Sequence, residues 1–192
     1  MPKLVDKDER LREITDAANE LLVRNGPRAL TIRALADRLG GSVTLVTHYF
    51  PRRELLLESL FERLFTQWES DIQELRELPG TPLDRLRALI IWLLPYTDQY
   101  LQSEVLRIHL ISQREGESTV DALITRMDPL FRGVVREFLT DLVPEDELAL
   151  TTDVLRSFTN GVSLSAIEDP EHWDPARQAR LLDYVFAKLG LT

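Results

Sequence analysis

The sequence predicts an all-α fold of nine helices. Its apolar residues recur at the i, i+3, i+4 spacing of amphipathic helices along nearly the whole chain. Breaks in this pattern coincide with Gly and Pro clusters, and we find no useful strand-like alternation. The 192 residues, 44% hydrophobic and 29% charged, suffice for one ordinary domain or a small and a medium one, and they exclude wholesale disorder.

The first predicted helix carries an apolar series that runs from Leu11 to Leu22. It stops at the turn cluster Asn25-Gly26-Pro27, where a glycine can close a helix. A short second helix is predicted from Ile32 to Leu39. Thr31 directly precedes it and is the residue type that caps helix N-termini.

Gly40-Gly41 separates the second helix from a third, which Ser42 can cap and which is predicted to run to about Phe50. Pro51 is then expected in the first turn of a long fourth helix. The second and third helices are too short to be stable alone, so they must pack on the first. That is the helix-turn-helix arrangement, although the spacing alone also fits an ordinary helical hairpin.

Six longer helices make up the rest of the chain. The fourth carries a wide apolar stripe from Leu57 to Leu75 and ends at Pro79-Gly80-Thr81-Pro82. Pro129 lies inside the seventh helix and predicts a bend or a late start there. The predicted spans of the fifth to ninth helices are residues 83–94, 98–113, 120–142, 145–167 and 176–189.

Composition and motifs narrow the function classes. The chain has no Cys, which excludes disulfide scaffolds and thiolate metal sites. Its apolar runs stay well short of the ~20 residues that span a bilayer, and its first residues are too charged for a secretory signal. We therefore expect a cytoplasmic protein without a membrane partner. The sequence has no GxSxG, P-loop, GxGxxG or HExxH motif, and its three His are isolated, so neither an enzyme nor a cofactor or metal site is expected.

Charge is distributed unevenly along the chain. Residues 1–53 hold 10 Lys and Arg against 7 Asp and Glu, a net charge of +3, whereas residues 54–192 hold 13 against 25, a net charge of −12. Polyanion binding requires a local basic surface and not a basic whole. The asymmetry therefore favours nucleic-acid binding by the amino-terminal third, although ordinary surface scatter can also produce it.

The stretch LTIRALADRLGGSVTLVTHYFPRRELLLESL, residues 30–60, resembles the DNA-binding signature of the TetR family of transcriptional regulators. Residues 158–189 are more weakly similar to the carboxy-terminal dimerisation region of BetI-like members. The resemblance implies a helix-turn-helix DNA-binding domain at 1–53 and a helical effector-binding and dimerisation domain at 54–192. The signature residues in this chain are Thr31, Ala36, Gly40, Ser42, Tyr49-Phe50, Arg52-Arg53 and residues 55–57.

A helix-turn-helix reads DNA by placing its last helix in the major groove, while flanking residues bind phosphates. Reach and residue type predict base contacts from the third helix and phosphate contacts from the hydroxyl and basic residues around it. The candidate DNA-binding residues are Thr31, Arg33, Ser42, Val43, Thr44, Thr47, His48, Tyr49, Arg52 and Arg53.

Aromatic and Met side chains with a few polar neighbours are typical of apolar ligand pockets, and equally of packed cores. We hypothesise that a small apolar or aromatic effector fills a cavity between the fourth and eighth helices and changes the spacing of two DNA-binding heads. The candidate ligand-binding residues are Phe65, Trp68, Trp92, Tyr96, Gln99, Tyr100, His109, Gln113, Met127 and Phe131.

The last two helices are predicted to form a four-helix bundle with a second copy, although their apolar residues could equally pack within one chain. The candidate interface residues are Leu155, Phe158, Val162, Leu182, Val185 and Phe186.

Together these features predict a transcriptional regulator that binds a palindromic double-stranded DNA operator as a homodimer. A small-molecule effector is expected to release it from the DNA. The resemblance implies a repressor, because most members of the family are repressors. The alternative is a helical protein-interaction or adaptor module of the same fold without sequence-specific DNA binding. Thr47, where the family usually has Tyr, keeps that alternative open.

Overall fold

The computed structural model describes residues 7–114 and 118–191, and over these ranges the chain forms nine α-helices, one 3-10 turn at Pro27–Ala29 and no strand. The prediction of an all-α fold is confirmed. The helices are α1 Lys7–Asn25, α2 Ile32–Arg38, α3 Val43–Tyr49, α4 Arg53–Glu77, α5 Pro82–Trp92, α6 Asp98–Gln113, α7 Ser118–Leu139, α8 Glu145–Glu168 and α9 Pro175–Lys188.

The chain divides into two compact units. The first holds α1 to α3, α4 as far as Gln67, and the segment Ile108–Leu123; the second holds Trp68–Arg107 and the chain from Ile124 onward. The sequence predicts a boundary at residue 53 between a DNA-binding domain and an effector-binding and dimerisation domain. That boundary concerns function, and it stays a prediction.

The three helices at the start of the first unit share one apolar core. Ile14 and Ala18 of α1, Leu35 of α2 and Val46 of α3 are all inaccessible to solvent. Ala36 is also buried, and its small side chain allows close packing at the surface of α2. Isolated helices of seven residues are only marginally stable in water, so the burial of these side chains is what stabilises α2 and α3.

The turn between α2 and α3 ends α2 with a left-handed residue. Gly40 has a φ of +61°, and its N–H donates to Asp37 O at 3.2 Å. The next N–H, of Gly41, donates to Ala36 O at 3.1 Å. This pair of hydrogen bonds is a Schellman motif, which satisfies carbonyls that the end of a helix leaves open.

The start of α4 and the course of α7 differ from the predictions. Pro51 lies two residues before α4 and not in its first turn. α7 begins at Ser118 and continues through Pro129, so a late start was wrong. Pro129 is exposed, so its ring lies on the solvent side of the helix. The carbonyl that receives no hydrogen bond from proline lies on that side too.

The second unit has a continuous core from α5, α7, α8 and α9. Thr81 and Asp84 form a capping box that fixes the start of α5, and Leu86, Leu89 and Ile90 of that helix are fully buried. At the unit's edge, Arg76 makes a two-pronged pair with Glu137, which lowers the pKa of the Glu137 carboxyl.

Four residues predicted at the dimer interface lie in this same core. Leu155, Val162, Leu182 and Phe186 are between 0% and 4% exposed in the single chain, so they have almost no surface to offer a partner. Their place is therefore corrected to the interior of the chain. Phe158 and Val185 are half-buried, and their interface role stays a prediction.

Across the described ranges, every helix is too short or too polar to cross a bilayer.

The Gly40 turn gives a test of the backbone argument. A Cβ at Gly40 would meet no atom within 4 Å, so the cost of Gly40→Ala is conformational alone. We expect the free energy of unfolding to fall by about 1 kcal/mol in urea denaturation. Gly133→Ala, also without neighbours but inside α7, is the matched control, and it should raise stability by roughly 0.5–1 kcal/mol. Equal effects of both substitutions would contradict the assignment of strain to the turn.

Candidate functional site

The outer face of α3 is presented to solvent. Val46 is fully buried against the core, whereas Val43 is 47% exposed and Thr44 and His48 are also exposed. Thr47 is half-buried on the same side. Helical spacing explains the division, because residues 43, 44, 47 and 48 share a face from which residue 46 points away. Apart from His48, the side chains available to a partner are therefore small, and they place hydroxyl groups beside the methyl groups of Val43.

Two hydroxyl residues in the predicted DNA-binding set hold the helices in place. Thr31 Oγ1 accepts a hydrogen bond from Ala34 N at 3.0 Å, and Ser42 Oγ accepts one from Leu45 N at 3.2 Å. Both are N-caps, as the sequence predicted. Both are also exposed, and each hydroxyl still has its own hydrogen to donate to an acceptor.

The predicted basic contacts differ in their surroundings. Arg33 on α2 and Arg52 before α4 are exposed. Arg53 is half-buried, and its Nε donates to Leu30 O at 2.6 Å, which ties the start of α4 to the backbone ahead of α2. Arg53 therefore has a structural role that the sequence did not indicate.

The last two residues of α3 form a small aromatic pair. The rings of His48 and Tyr49 meet edge to face with centroids 5.2 Å apart. His48 is exposed and Tyr49 is half-buried, so Tyr49 presents only part of its ring to solvent.

Three of the predicted ligand-binding residues meet inside the second unit. The Phe131 ring lies 4.9 Å from that of Trp68 and 6.1 Å from that of Trp92, measured between centroids. The Trp92 indole donates to Asp71 Oδ2 at 3.3 Å, which fixes the orientation of its ring. We call Trp68, Trp92 and Phe131 the aromatic cluster.

Arg156 of α8 adjoins the aromatic cluster and was not predicted. Its guanidinium carbon lies 5.3 Å from the centroid of the Phe131 ring, and one terminal nitrogen is 3.7 Å from Asp128 Oδ1. The side chain is 10% exposed, and its burial lowers the pKa of the guanidinium. Among the described residues Arg156 Nε has no hydrogen-bond partner. The signal in the sequence was a single basic residue, Arg156, in the eighth helix.

The other predicted ligand-binding residues are dispersed. Met127 is buried in the second unit, Phe65 is buried in the first, and His109 is exposed in the first. Tyr100 is 45% exposed, and Tyr96 lines a separate cavity. The side chains of Gln99 and Gln113 lie outside the described residues.

α8 carries a second apolar surface that faces solvent. Leu150 is 70% exposed, Val154 38% and Leu164 45%, and Gly161 between them is exposed as well. These residues, with Ser157, follow one another at alternating spacings of four and three, the period of a helix–helix packing seam. We call them the α8 seam. Tyr184 of α9, 61% exposed, is a further apolar residue open to solvent on the two last helices.

Comparisons with known proteins agree with this architecture. Residues 14–60 match the family model described as bacterial regulatory proteins, tetR family. The chain is 30% identical over 146 residues to the HTH-type transcriptional repressor KstR of Rhodococcus jostii, an alignment that covers 74% of this chain. It is 27% identical over 135 residues to the HTH-type transcriptional regulator BetI of Rhizobium meliloti, covering 62% of this chain. Each alignment spans 66% of the relative, just under two thirds of its length.

A solved structure shows the same fold. It is a transcriptional regulator from Saccharomonospora viridis in complex with choline, with a TM-score of 0.78 and 16% sequence identity. The superposition covers 94% of this chain and 97% of that one.

Proposed function

Because the chain belongs to the TetR family of bacterial regulatory proteins, we propose that it is a cytoplasmic transcriptional regulator that binds duplex DNA through α2 and α3. The observation that carries the proposal is the outward face of α3, where Val43 and Thr44 are exposed and Thr47 is half-buried. We propose that these three side chains meet base edges in a major groove. Hydroxyl groups hydrogen-bond base edges, and apolar side chains contact thymine methyls.

Charge supports the same assignment. Arg33 and Arg52 are exposed near α3, and the amino-terminal 53 residues carry a net charge of +3. The rest of the chain, at −12, repels phosphates. A protein with this distribution approaches DNA with its amino-terminal unit foremost, because the field favours that orientation.

We propose that the regulator is a homodimer joined through the α8 seam. The seam has the spacing of a packing surface but faces solvent in the single chain. Gly161 lies within it, and a Cβ at this position would meet no atom within 4 Å. A glycine there permits a second helix to approach closely. A two-fold axis through the α8 seam gives the dimer two copies of α3, one for each half of a palindromic operator.

We propose that a small apolar or aromatic effector binds at the aromatic cluster and releases the DNA, as expected of a repressor. Two indoles and a phenyl ring supply apolar surface, and the unpartnered Arg156 Nε supplies a polar group that can orient a ligand. Such an effector acts only if it binds the DNA-incompetent state more tightly.

DNA binding is tested with a duplex selected from a random-sequence library by the protein itself. We expect log K to fall steeply with log salt in fluorescence anisotropy, because bound phosphates release counterions. Arg33→Ala and Arg52→Ala should each weaken binding about tenfold, and loss of a phosphate contact should reduce the salt slope by about 1.

The matched control for both substitutions is Arg132→Ala, which removes one exposed positive charge from the second unit and should leave the affinity unchanged. Failure of the library to yield any enriched duplex would contradict the proposal and favour the adaptor alternative.

The dimer is tested by sedimentation velocity. The wild-type chain should sediment at twice its mass of 22.1 kDa, and Gly161→Arg should yield monomers because the long side chain blocks the α8 seam. Gly133→Arg, at an exposed helical glycine that is equally free of neighbours, should remain dimeric. A dimer that survives Gly161→Arg would rule out this surface.

The effector is tested by a thermal-shift screen of small apolar and aromatic compounds, followed by competition against labelled operator. At least one compound should raise the melting temperature and weaken DNA binding. Trp92→Phe should weaken the binding of that compound, whereas Trp173→Phe, outside the aromatic cluster, should not. Compounds that stabilise the chain without changing its DNA affinity would argue against release by this route.

A further inference from the structure

The second unit contains a small cavity between the α5–α6 connection and the loop that leads into α9. Its volume is about 120 Å³, and its walls include Pro95, Tyr96, Trp173, Asp174 and Gln178. Among its described lining residues there is no member of the aromatic cluster, so it is a different place from the effector site proposed above.

Gln178 of α9 leaves an acceptor unused at this cavity. The residue is 1% exposed, and its Nε2 donates to Trp173 O at 2.7 Å and reaches Pro95 O at 3.5 Å. These two carbonyls settle the orientation of the amide, because a flipped amide would place Oε1 against them. Oε1 is therefore the free end, and it has no hydrogen-bond partner among the described residues.

Tyr96 contributes a second unpartnered polar atom. Its hydroxyl oxygen is buried and makes no hydrogen bond within the described part of the chain. Burial raises the pKa of the Tyr96 hydroxyl, so the group stays protonated at neutral pH and keeps oxygen lone pairs that can accept. Of the three buried side-chain atoms that lack partners in this part of the chain, two thus belong to residues that line one cavity.

The rest of the lining favours a cation. Asp174 is the one charged side chain among the described lining residues, and only its Oδ1 is engaged in capping α9, through Arg177 N at 2.7 Å. The Arg177 guanidinium already lies over the Trp173 ring, 5.8 Å from its centroid, so Trp173 offers apolar surface and the attraction for a cation comes from Asp174. The prolines supply apolar wall.

We propose that this cavity binds a small protonated amine. Its ammonium group donates to Gln178 Oε1 and to the Tyr96 hydroxyl oxygen and faces the Asp174 carboxylate, while its alkyl part lies against Pro95 and Trp173. A cavity of about 150 Å³ admits benzene, so this one accommodates an amine of roughly five or six heavy atoms. The inference does not depend on DNA binding, because it concerns other residues and a different ligand.

The experiment is a titration of the ¹⁵N-labelled full chain by NMR at constant ionic strength. Three probes of five heavy atoms separate charge from hydrogen bonding: n-butylammonium carries both, 1-butanol donates without charge, and tetramethylammonium is charged without a donor. We expect n-butylammonium alone to shift the Gln178 side-chain amide and the Trp173 indole resonances saturably, with a Kd on the order of millimolar.

Conservative variants test the two named groups. Tyr96→Phe removes only the unpartnered hydroxyl, and Asp174→Asn removes the charge but keeps a good N-cap residue. Each should raise the Kd for n-butylammonium at least fivefold. Tyr100→Phe and Asp169→Asn, the same changes at exposed residues outside the described lining, should leave it unchanged.

Two results would overturn the proposal. One is the absence of saturable shifts with n-butylammonium. The other is equal binding of 1-butanol or tetramethylammonium, because then either the charge or the N–H donor plays no part. Neither result bears on the DNA affinity, which is measured separately.

Discussion

The burial of one face of each short helix is the constraint on which the amino-terminal part of the first unit depends. A helix of seven residues does not persist in water, so α2 and α3 exist because Leu35 and Val46 lose all contact with solvent. One face of α3 is buried in the core, so Val43 and Thr44 on the opposite face remain exposed to solvent. The surface that we propose to contact DNA is thus a by-product of the packing that makes the helix stable.

The second unit contains buried polar atoms that receive no hydrogen bond from any residue that the structure describes. An unpaired buried polar atom costs about 1–3 kcal/mol, and in the described ranges Arg156 Nε, Gln178 Oε1 and the Tyr96 hydroxyl are of this kind. Each adjoins aromatic surface, so each offers a directed hydrogen bond beside an apolar wall. A core selected for stability alone would replace such atoms with apolar ones. Two of the three belong to residues that line one cavity, and the third adjoins the aromatic cluster.

Sequence periodicity predicted the helices well because each depends on its own apolar stripe and caps, as α6 and the caps Thr31 and Ser42 illustrate. The sequence placed the start of α4 two residues early, and it gave no sign of the hydrogen bond from Arg53 Nε to the distant Leu30 O. Leu155 and Val162 were misplaced at the interface because α8 is apolar on two sides, and periodicity cannot say that Leu155 faces inward and Leu150 outward. The cavity to which we assign an amine joins residues more than 80 positions apart, beyond any local pattern.

The open space around Gly40 also limits which substitutions the turn between α2 and α3 can accept. A crowded glycine can be replaced when a neighbouring side chain shrinks, because the obstacle is removable. Here no atom stands near the missing Cβ, so the obstacle is the backbone angle itself. No local second substitution can make room, so the cost of a side chain at this position lies in the backbone angle of the turn and not in its surroundings.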